Sequence, residues 1–207
     1  MLEFATQAFD WLKDFSSSPS FYVIIFVIAI LDSVLPIVPS ETLVIIGGVS
    51  AGLGNLWVPI VIVVAASGAF IGDNMSYLIG REASDWVMRR QTRTEKGAAR
   101  MTKIVEQVHE RGGLLLITAR FIPGGRTALT LSCGVTRQPR RWFAGWSAVA
   151  AIIWGNYAAL LGFIGGKSFE ENHTTAFIIA FATAFSITAL IEIVRWLLKR
   201  ARYRKTA

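Results

Sequence analysis

Residues 112–136 of the 207-residue chain read GGLLLITARFIPGGRTALTLSCGVT, and this stretch decides the fold that the sequence predicts. It is mostly apolar, yet it contains Arg120 and Arg126 with a Pro-Gly-Gly sequence between them. Two membrane-spanning helices would need about 40 residues, so the stretch is too short to cross a bilayer twice. Proline and paired glycines interrupt helices, so the stretch does not predict one continuous span either.

The composition around this stretch is that of a membrane protein. The chain is 53% hydrophobic and 17% charged, against about 25% charged residues in an average soluble domain, and its mean hydropathy is +0.50. No charged residue occurs between Glu41 and Asp73, a run longer than the roughly 20 residues that one span needs. The composition excludes a soluble globular domain. The single cysteine, Cys133, also excludes a disulfide framework and a multi-cysteine metal site.

The distribution of the net charge of +7 predicts membrane topology and not nucleic-acid binding. Basic residues concentrate in segment 81–111 and in tail residues 195–205, so both are predicted on the cytoplasmic side. The apolar runs 142–165 and 175–198 are each long enough to span, and the connection between them has no basic excess, which suits the outer side. Segment 112–136 must then leave and return on the cytoplasmic side. We expect a re-entrant hairpin there, covered by protein or by a water-filled cavity.

The first half of the chain has the same design. A span is predicted to begin at Phe21 and another to cover 56–79, with a re-entrant hairpin of about residues 35–53 entering from the outer side between them. Each half is a hairpin followed by one crossing, and the halves start on opposite sides. The predicted fold is therefore an all-α polytopic membrane protein, an inverted repeat with two opposed re-entrant hairpins plus transmembrane helices. This is an architecture typical of transporters.

The predicted organisation has three parts. Residues 1–20 form an N-terminal amphipathic, interfacial segment, for which a loosely ordered terminus is the alternative. Residues 21–198 form the membrane domain, with segment 81–111 as its cytoplasmic amphipathic linker, and residues 199–207 form a basic cytoplasmic tail. Both termini are predicted in the cytoplasm.

Six ionisable residues lie in or beside the apolar segments, where each costs about 2.5–3.5 kcal/mol at a helix centre. They are Asp32, Glu41, Asp73, Arg120, Arg126 and Glu192. Such residues are paired, hydrated or required for function. For Glu192, an i,i+3 pair with Arg195 is the expected explanation.

Arg120 and Arg126 predict an anion site. They flank a loop opened by Pro123, Gly124 and Gly125, whose amide groups are expected to point at a ligand. A guanidinium is always protonated and forms two parallel hydrogen bonds to a phosphate or a carboxylate. The alternative is that both arginines only neutralise buried carboxylates, and the two interpretations are compatible.

The carboxylates predict proton coupling. Glu41 lies on the facing hairpin and Asp32 precedes it, and a carboxylate in an apolar setting can gain or lose a proton near neutral pH. A protonation switch linked to anion binding is one interpretation, and structural pairing alone is the other. Asp73 either faces water or completes the polar cluster.

The sequence predicts no enzyme and no cofactor. The two histidines, His109 and His173, belong to predicted loops, so a Ser–His protease lacks its base and a histidine phosphatase its nucleophile. No zinc motif or Walker-type loop is present either.

Three elements of the sequence resemble the DedA family, also called the SNARE-associated or VTT domain. They are Leu35-Pro-Ile-Val-Pro39-Ser-Glu41, Gly72-Asp73, and Arg120-Phe-Ile-Pro-Gly-Gly-Arg126. The resemblance implies a bacterial inner-membrane protein with two opposed re-entrant loops that returns undecaprenyl phosphate to the cytoplasmic leaflet, in dependence on the proton-motive force. Eukaryotic relatives are described as phospholipid scramblases.

The resemblance also implies which residues are functional. Glu41, Arg120 and Arg126 fall on the family's functional acidic and basic positions, Asp32 matches a second acidic position, and Asp73 is carried over with them. Together with the residue chemistry, this predicts a proton-linked flippase for a polyprenyl phosphate or a phospholipid. The predicted partners are this substrate, membrane lipids and protons, and a homo-oligomer is left open. The alternatives are a proton-coupled transporter of a small solute or ion, and a non-transporting protein that supports envelope integrity.

Overall fold

The computed structural model describes residues 18–35, 40–91, 106, 108, 113–122 and 124–168. Within these ranges the elements are α1 (Ser20–Val34), α2 (Ser40–Gly52), α3 (Val58–Glu82), α4 (Ser84–Gln91), a 3-10 helix (Ala119–Phe121), α5 (Gly125–Val135) and α6 (Arg140–Ser168). Residues 113–118 are also helical and lead into the 3-10 helix. The described part of the chain contains no β-strand, which confirms the all-α prediction.

Several predictions fall on residues that the structure does not describe. The structure does not describe residues 1–17 of the N-terminal segment or residues 92–105 of the linker. The last predicted span, 175–198 with Glu192, and the tail 199–207 also lie outside the described residues.

Among the described residues, two helices are long and apolar enough to cross a membrane, α3 with 25 residues and α6 with 29. Only a minority of the residues in their most apolar windows is buried inside the protein, as expected for helices with one side facing lipid. The helices α2 and α5, with 13 and 11 residues, are shorter than the roughly 20 residues of a full span. The re-entrant path itself stays a prediction.

The chain divides into two compact units. The first unit contains the described residues 18–25, 40–64 and 156–168. The second unit contains residues 26–35 and the described residues in the range 65–155. The helices α1, α3 and α6 therefore each have residues in both units, whereas α2 belongs to the first unit and α5 to the second.

In the first unit, α2 packs against the C-terminal part of α6 through backbone contacts at glycines. A Cβ atom on Gly48 would clash with the carbonyl oxygen of Ala159, and one on Gly162 would clash with the carbonyl oxygen of Ile45. The two helices approach this closely because neither glycine carries a side chain. Buried apolar residues fill the rest of this unit: Phe21, Ile25, Val44, Val49 and Val61.

In the second unit, α5 packs against α3 in the same way. A Cβ atom on Gly134 would clash with the carbonyl oxygen of Tyr77, and one on Gly80 would clash with the carbonyl oxygen of Leu131. Tyr77 also stacks on Phe143 of α6, with 4.6 Å between the ring centroids. The helix α3 is thus held against α5 by close backbone contacts at glycines and against α6 by an aromatic pair.

The glycine contacts have the same register in both units. The glycine of the short helix (Gly48 or Gly134) faces a carbonyl of the long helix. In the first unit, Gly162 lies three residues after Ala159 and faces the carbonyl of Ile45, which lies three residues before Gly48. In the second unit, Gly80 lies three residues after Tyr77 and faces the carbonyl of Leu131, which lies three residues before Gly134. One packing geometry therefore occurs twice in the chain.

Hydrogen bonds fix the C-terminal end of α5. The Tyr77 hydroxyl donates to the carbonyl oxygen of Gln138 at 2.6 Å, and the Ser84 hydroxyl donates to that of Val135 at 2.7 Å. An exposed ion pair joins Arg137 Nη2 to Asp85 Oδ1 at 2.7 Å. Because this end is tied to α3 and α4, the opposite end of α5, where Arg126 lies, has a defined position in the second unit.

Candidate anion-binding site

Both arginines of the candidate site lie beside one tight turn. Arg120 belongs to the 3-10 helix, and Arg126 is the second residue of α5. Between them Gly124 has φ +69°, a left-handed conformation that glycine adopts readily. A Cβ atom on Gly125 would lie 2.9 Å from Cβ of Ile122, so this turn has no room for a side chain. The glycines thereby bring both arginines to one place.

Arg120 pairs with Asp73 of α3. Its Nη2 donates to Asp73 Oδ2, and each of the two side chains is only 2% exposed. The hydroxyl of Ser147, from α6, donates to the same carboxylate oxygen at 2.9 Å. Three elements of the second unit thus converge on one carboxylate.

Arg126 contacts the end of α1. Its Nη2 donates to the Ser33 hydroxyl at 2.7 Å and to Asp32 Oδ2 at 3.2 Å. Its Nε lies 3.6 Å from Asp73 Oδ1, and its guanidinium carbon lies 6.0 Å from the ring centroid of the buried Trp154. Arg126 is therefore surrounded by two carboxylates, a hydroxyl and an aromatic face.

The four charges alternate in sign along the series Arg120, Asp73, Arg126 and Asp32. Two guanidinium groups and two carboxylates give this cluster a formal charge of zero when all are ionised. Asp73 lies close to both arginines, while the more exposed Asp32, at 22%, forms an ion pair with Arg126. Ion pairing of this kind offsets the cost of burying each charge.

The hydrogen bonding of the cluster is incomplete. Nε and Nη1 of Arg120 and Oδ1 of Asp73 are buried, and they have no hydrogen-bond partner among the described residues. Leaving a buried polar group unsatisfied costs about 1–3 kcal/mol, and more for a charged group. Free donors on a buried guanidinium suit a ligand that carries acceptor oxygens.

A layer of hydroxyl groups supports the cluster at Ser33. The Ser33 hydroxyl donates to the carbonyl oxygen of Ala29 at 2.9 Å, while its own carbonyl oxygen accepts from Ser76 at 2.8 Å and from Thr127 at 3.1 Å. These bonds connect α1 to α3 and α5. They hold Ser33 in the place where its hydroxyl meets Arg126.

The structure brings together four of the seven predicted site residues, namely Asp32, Asp73, Arg120 and Arg126. Gly124 and Gly125 form the turn beside them, where the Gly125 amide donates to the Ile122 carbonyl oxygen at 2.8 Å, so this amide already has a partner within the loop. Glu41 lies in the first unit, in the first turn of α2. The roles of these residues in ligand binding and proton coupling stay predictions.

Sequence reasoning missed Ser33, Thr127, Ser147 and Trp154. Hydroxyl residues are frequent in membrane helices and often bond to their own helix, so Ser147 in an apolar run gives no signal. Tryptophan in such a run reads as a residue of the membrane interface. Ser33 had the clearest signal, because it directly follows Asp32 in the predicted span that begins at Phe21.

The helices and the buried ion pairs define an α-helical membrane protein with a charged site inside it. The family model described as the VTT domain matches residues 38–164, well over half of the chain. The chain therefore belongs to the VTT domain (DedA) family, which confirms the resemblance found in its motifs.

Named relatives agree with this assignment. The chain is 27% identical over 167 residues to the inner membrane protein YohD of Escherichia coli (strain K12), a match that covers 80% of this chain and 85% of that protein. It is 26% identical over 189 residues to the protein DedA of the same organism, with 88% and 85% covered. An uncharacterised membrane protein of Mycobacterium leprae (strain TN) is 29% identical over 178 residues, with 84% and 78% covered. No solved structure matches the chain.

Proposed function

We propose that this protein is a flippase that translocates a lipid phosphate, undecaprenyl or another polyprenyl phosphate, to the cytoplasmic leaflet for cell-envelope recycling. The observation that carries the proposal is the buried pair Arg120 and Arg126 beside one tight turn, with the Nε and Nη1 donors of Arg120 unpartnered among the described residues. A phosphate monoester offers several anionic oxygens, and guanidinium groups bind such oxygens bidentately.

A lipid phosphate fits a site of this kind for a physical reason. Its apolar tail is stable in the bilayer throughout the movement, but its anionic head is strongly destabilised in hydrocarbon. Arg126 and Arg120 would replace the water around the head, with side chains 10% and 2% exposed. The protein then acts by binding and neutralising the head, and the proposal contains no chemical step and no cofactor.

The neutral charge of the cluster supports proton linkage. When a phosphate enters, the cluster acquires net negative charge, which is costly in an apolar environment unless a carboxylate takes up a proton. Asp32 and Asp73 contact the arginines directly, and Glu41 of α2 is the third carboxylate in the proposed coupling. In this proposal the proton-motive force drives transport through these groups.

We further propose that the protein is a multi-pass protein of the inner (plasma) membrane, an inverted repeat with two opposed re-entrant hairpins and with both termini in the cytoplasm. Two observations support this architecture. The short helices α2 and α5 are too short to span, and each packs on a long helix with the same glycine register. Transporters built from inverted repeats place the ligand site at broken helices.

The proposal is tested by reconstitution of the purified protein into liposomes that contain undecaprenyl phosphate. The measurement is the accessibility of its headgroup from one side over time, with and without a pH gradient. The Arg120→Ala, Arg126→Ala double variant is compared with Arg137→Ala, which removes an arginine of an exposed ion pair, at equal amounts of reconstituted protein.

We expect translocation by the wild-type protein and by Arg137→Ala, and none by the double variant. A proton flux that depends on a small anion and needs no lipid would favour the small-solute transporter instead. Absence of translocation and of flux under every gradient would favour a non-transporting role in envelope integrity. Either of these two results would overturn the flippase proposal.

A further inference from the structure

We propose that Asp73 is an internal substitute for the substrate phosphate, because its carboxylate lies between Arg120 and Arg126 and has to move before one phosphate can bridge both arginines. This inference rests on the proposed function. It assigns Asp73 as the positioning residue that controls access of the anion to the site.

The geometry around Asp73 is that of a bound anion. Its Oδ2 accepts a hydrogen bond from Arg120, and its Oδ1 lies 3.6 Å from Nε of Arg126. One carboxylate thus bridges two guanidinium groups, as two oxygens of a phosphate would do. Since the Asp73 side chain is only 2% exposed, a phosphate cannot bind both arginines while Asp73 keeps this position.

Asp32 differs from Asp73 in this respect. It forms an ion pair with Arg126 at 3.2 Å, and its side chain is 22% exposed. Movement of Asp32 would make a donor of Arg126 available. Movement of Asp73 makes a donor of Arg120 available and also the Nε of Arg126 that faces it. Asp73 is therefore the carboxylate whose displacement opens the site.

Ser147 provides the group that retains Asp73. Its hydroxyl donates to Asp73 Oδ2 at 2.9 Å from the face of α6. A hydroxyl can also accept a hydrogen bond, so Ser147 remains a suitable partner when the carboxyl is protonated. A protonated Asp73 no longer competes for guanidinium, and the phosphate takes its place.

Loss of the negative charge of Asp73 would thus favour binding of an anion. In the described part of the chain, the charged groups around Asp73 are Arg120 from the 3-10 helix and Arg126 from α5, with Asp32 of α1 beyond Arg126. Ser147 is the partner from α6. Binding of an anion to these two arginines is favoured when the bridging carboxylate between them becomes neutral.

The test measures binding of farnesyl monophosphate and of inorganic phosphate to the purified full-length protein in detergent, from mildly acidic to mildly alkaline pH. Asp73→Asn removes the negative charge with little change in shape. At neutral pH we expect this variant to bind farnesyl monophosphate about tenfold more tightly than the wild type, because a neutral amide competes with the phosphate for Arg120 less strongly than a carboxylate does. The two affinities should converge as the pH falls.

Matched controls separate this effect from a general change in charge. Asp85→Asn neutralises a carboxylate of the exposed pair with Arg137 and should leave the affinity and its pH dependence unchanged. Ser147→Ala weakens the hold on Asp73 and should raise the affinity roughly fivefold. Its control is Ser132→Ala, whose hydroxyl donates to Ala128 within α5. If Asp73→Asn does not fold, the Ser147→Ala comparison carries the test.

The outcomes distinguish this inference from the proposed function. Arginine-dependent binding by the wild type, with the same affinity and pH profile in Asp73→Asn, overturns the inference alone. No binding of either ligand by wild type and Asp73→Asn overturns both. Tighter binding of only farnesyl monophosphate supports the inference with a lipid headgroup as ligand, and equal gains for inorganic phosphate support it with free phosphate as ligand.

Discussion

Arg120 and Asp73 are each 2% exposed, and neither ion would be stable in an apolar interior without the other. The pairing explains how these charges are tolerated within membrane helices. It also means that loss of one partner affects both folding and function, so the two effects have to be separated by experiment.

The first prediction concerns the stability of the pair. Arg120→Gln leaves the Asp73 carboxylate buried without its main counter-ion and should lower the free energy of unfolding by about 3–5 kcal/mol. Thermal unfolding of the purified protein in detergent is the measurement. Arg137→Gln, in the exposed pair with Asp85, should cost about 0–1 kcal/mol.

A second substitution completes this prediction. Adding Asp73→Asn to Arg120→Gln removes the unpaired charge, and the double variant should recover most of the lost stability. If Arg120→Gln and Arg137→Gln proved equally mild, Arg120 and Asp73 would not form a buried ion pair.

For the charged cluster, the sequence predicted which residues take part but not which of them contact each other. The rarity of charge in apolar segments identified Asp32, Asp73, Arg120 and Arg126, because each such residue needs a compensating partner. Which carboxylate pairs with which arginine depends on how α1, α3 and α5 pack. The sequence therefore left Asp73 between water and the cluster, and the structure places it in the cluster.

The helices α2 and α5 are held at their glycines, where no side chain separates them from a neighbouring backbone. Gly48→Ala and Gly134→Ala each place a Cβ atom on a main-chain carbonyl oxygen. Each substitution should lower the free energy of unfolding by about 1–3 kcal/mol, since the helices must move apart. Thermal unfolding in detergent measures this second prediction.

The matched controls for these substitutions lie on α6. Apart from the glycine itself, its two chain neighbours and the nearby backbone of α6, no atom of the described residues would lie within 4 Å of a Cβ atom on Gly145 or Gly165. Gly145→Ala and Gly165→Ala should therefore leave stability unchanged or raise it by up to about 1 kcal/mol, through helix propensity. Equal losses at all four glycines would contradict the packing described for α2 and α5.

Sequence patterns located the elements but not their contacts. The predicted spans 56–79 and 142–165 correspond to α3 (Val58–Glu82) and α6 (Arg140–Ser168). The helix α3 extends beyond its apolar run at the C-terminal end only, and α6 extends beyond its run at both ends. Hydrophobicity marks the part of a helix in lipid and says little about its ends. The glycine register could not be predicted, because it depends on two segments that lie far apart in the sequence.

Topology is the property of the whole molecule that the charge pattern predicts most directly. In a Cys133→Ala background, Asn55→Cys lies on an exposed residue between α2 and α3, and Arg140→Cys lies on an exposed residue at the start of α6. We expect a membrane-impermeant maleimide to label Asn55→Cys in intact cells. It should label Arg140→Cys only after the inner membrane is opened.

This third prediction depends on the two re-entrant hairpins. If segment 112–136 crossed the membrane once instead of returning to the side from which it entered, Arg140 would lie on the same side as Asn55. Labelling of both cysteines from the same side would contradict the proposed topology.

The cluster's function is the central claim, and its most direct test uses a protein in which the buried charges are removed as a pair. Translocation of undecaprenyl phosphate in proteoliposomes is measured for the Arg120→Gln, Asp73→Asn double variant, at a stability matched to the wild type. We predict a loss of at least about tenfold, since a guanidinium that binds the phosphate is missing. Translocation at the wild-type rate would contradict the claim and would leave Arg120 and Asp73 with a purely structural role.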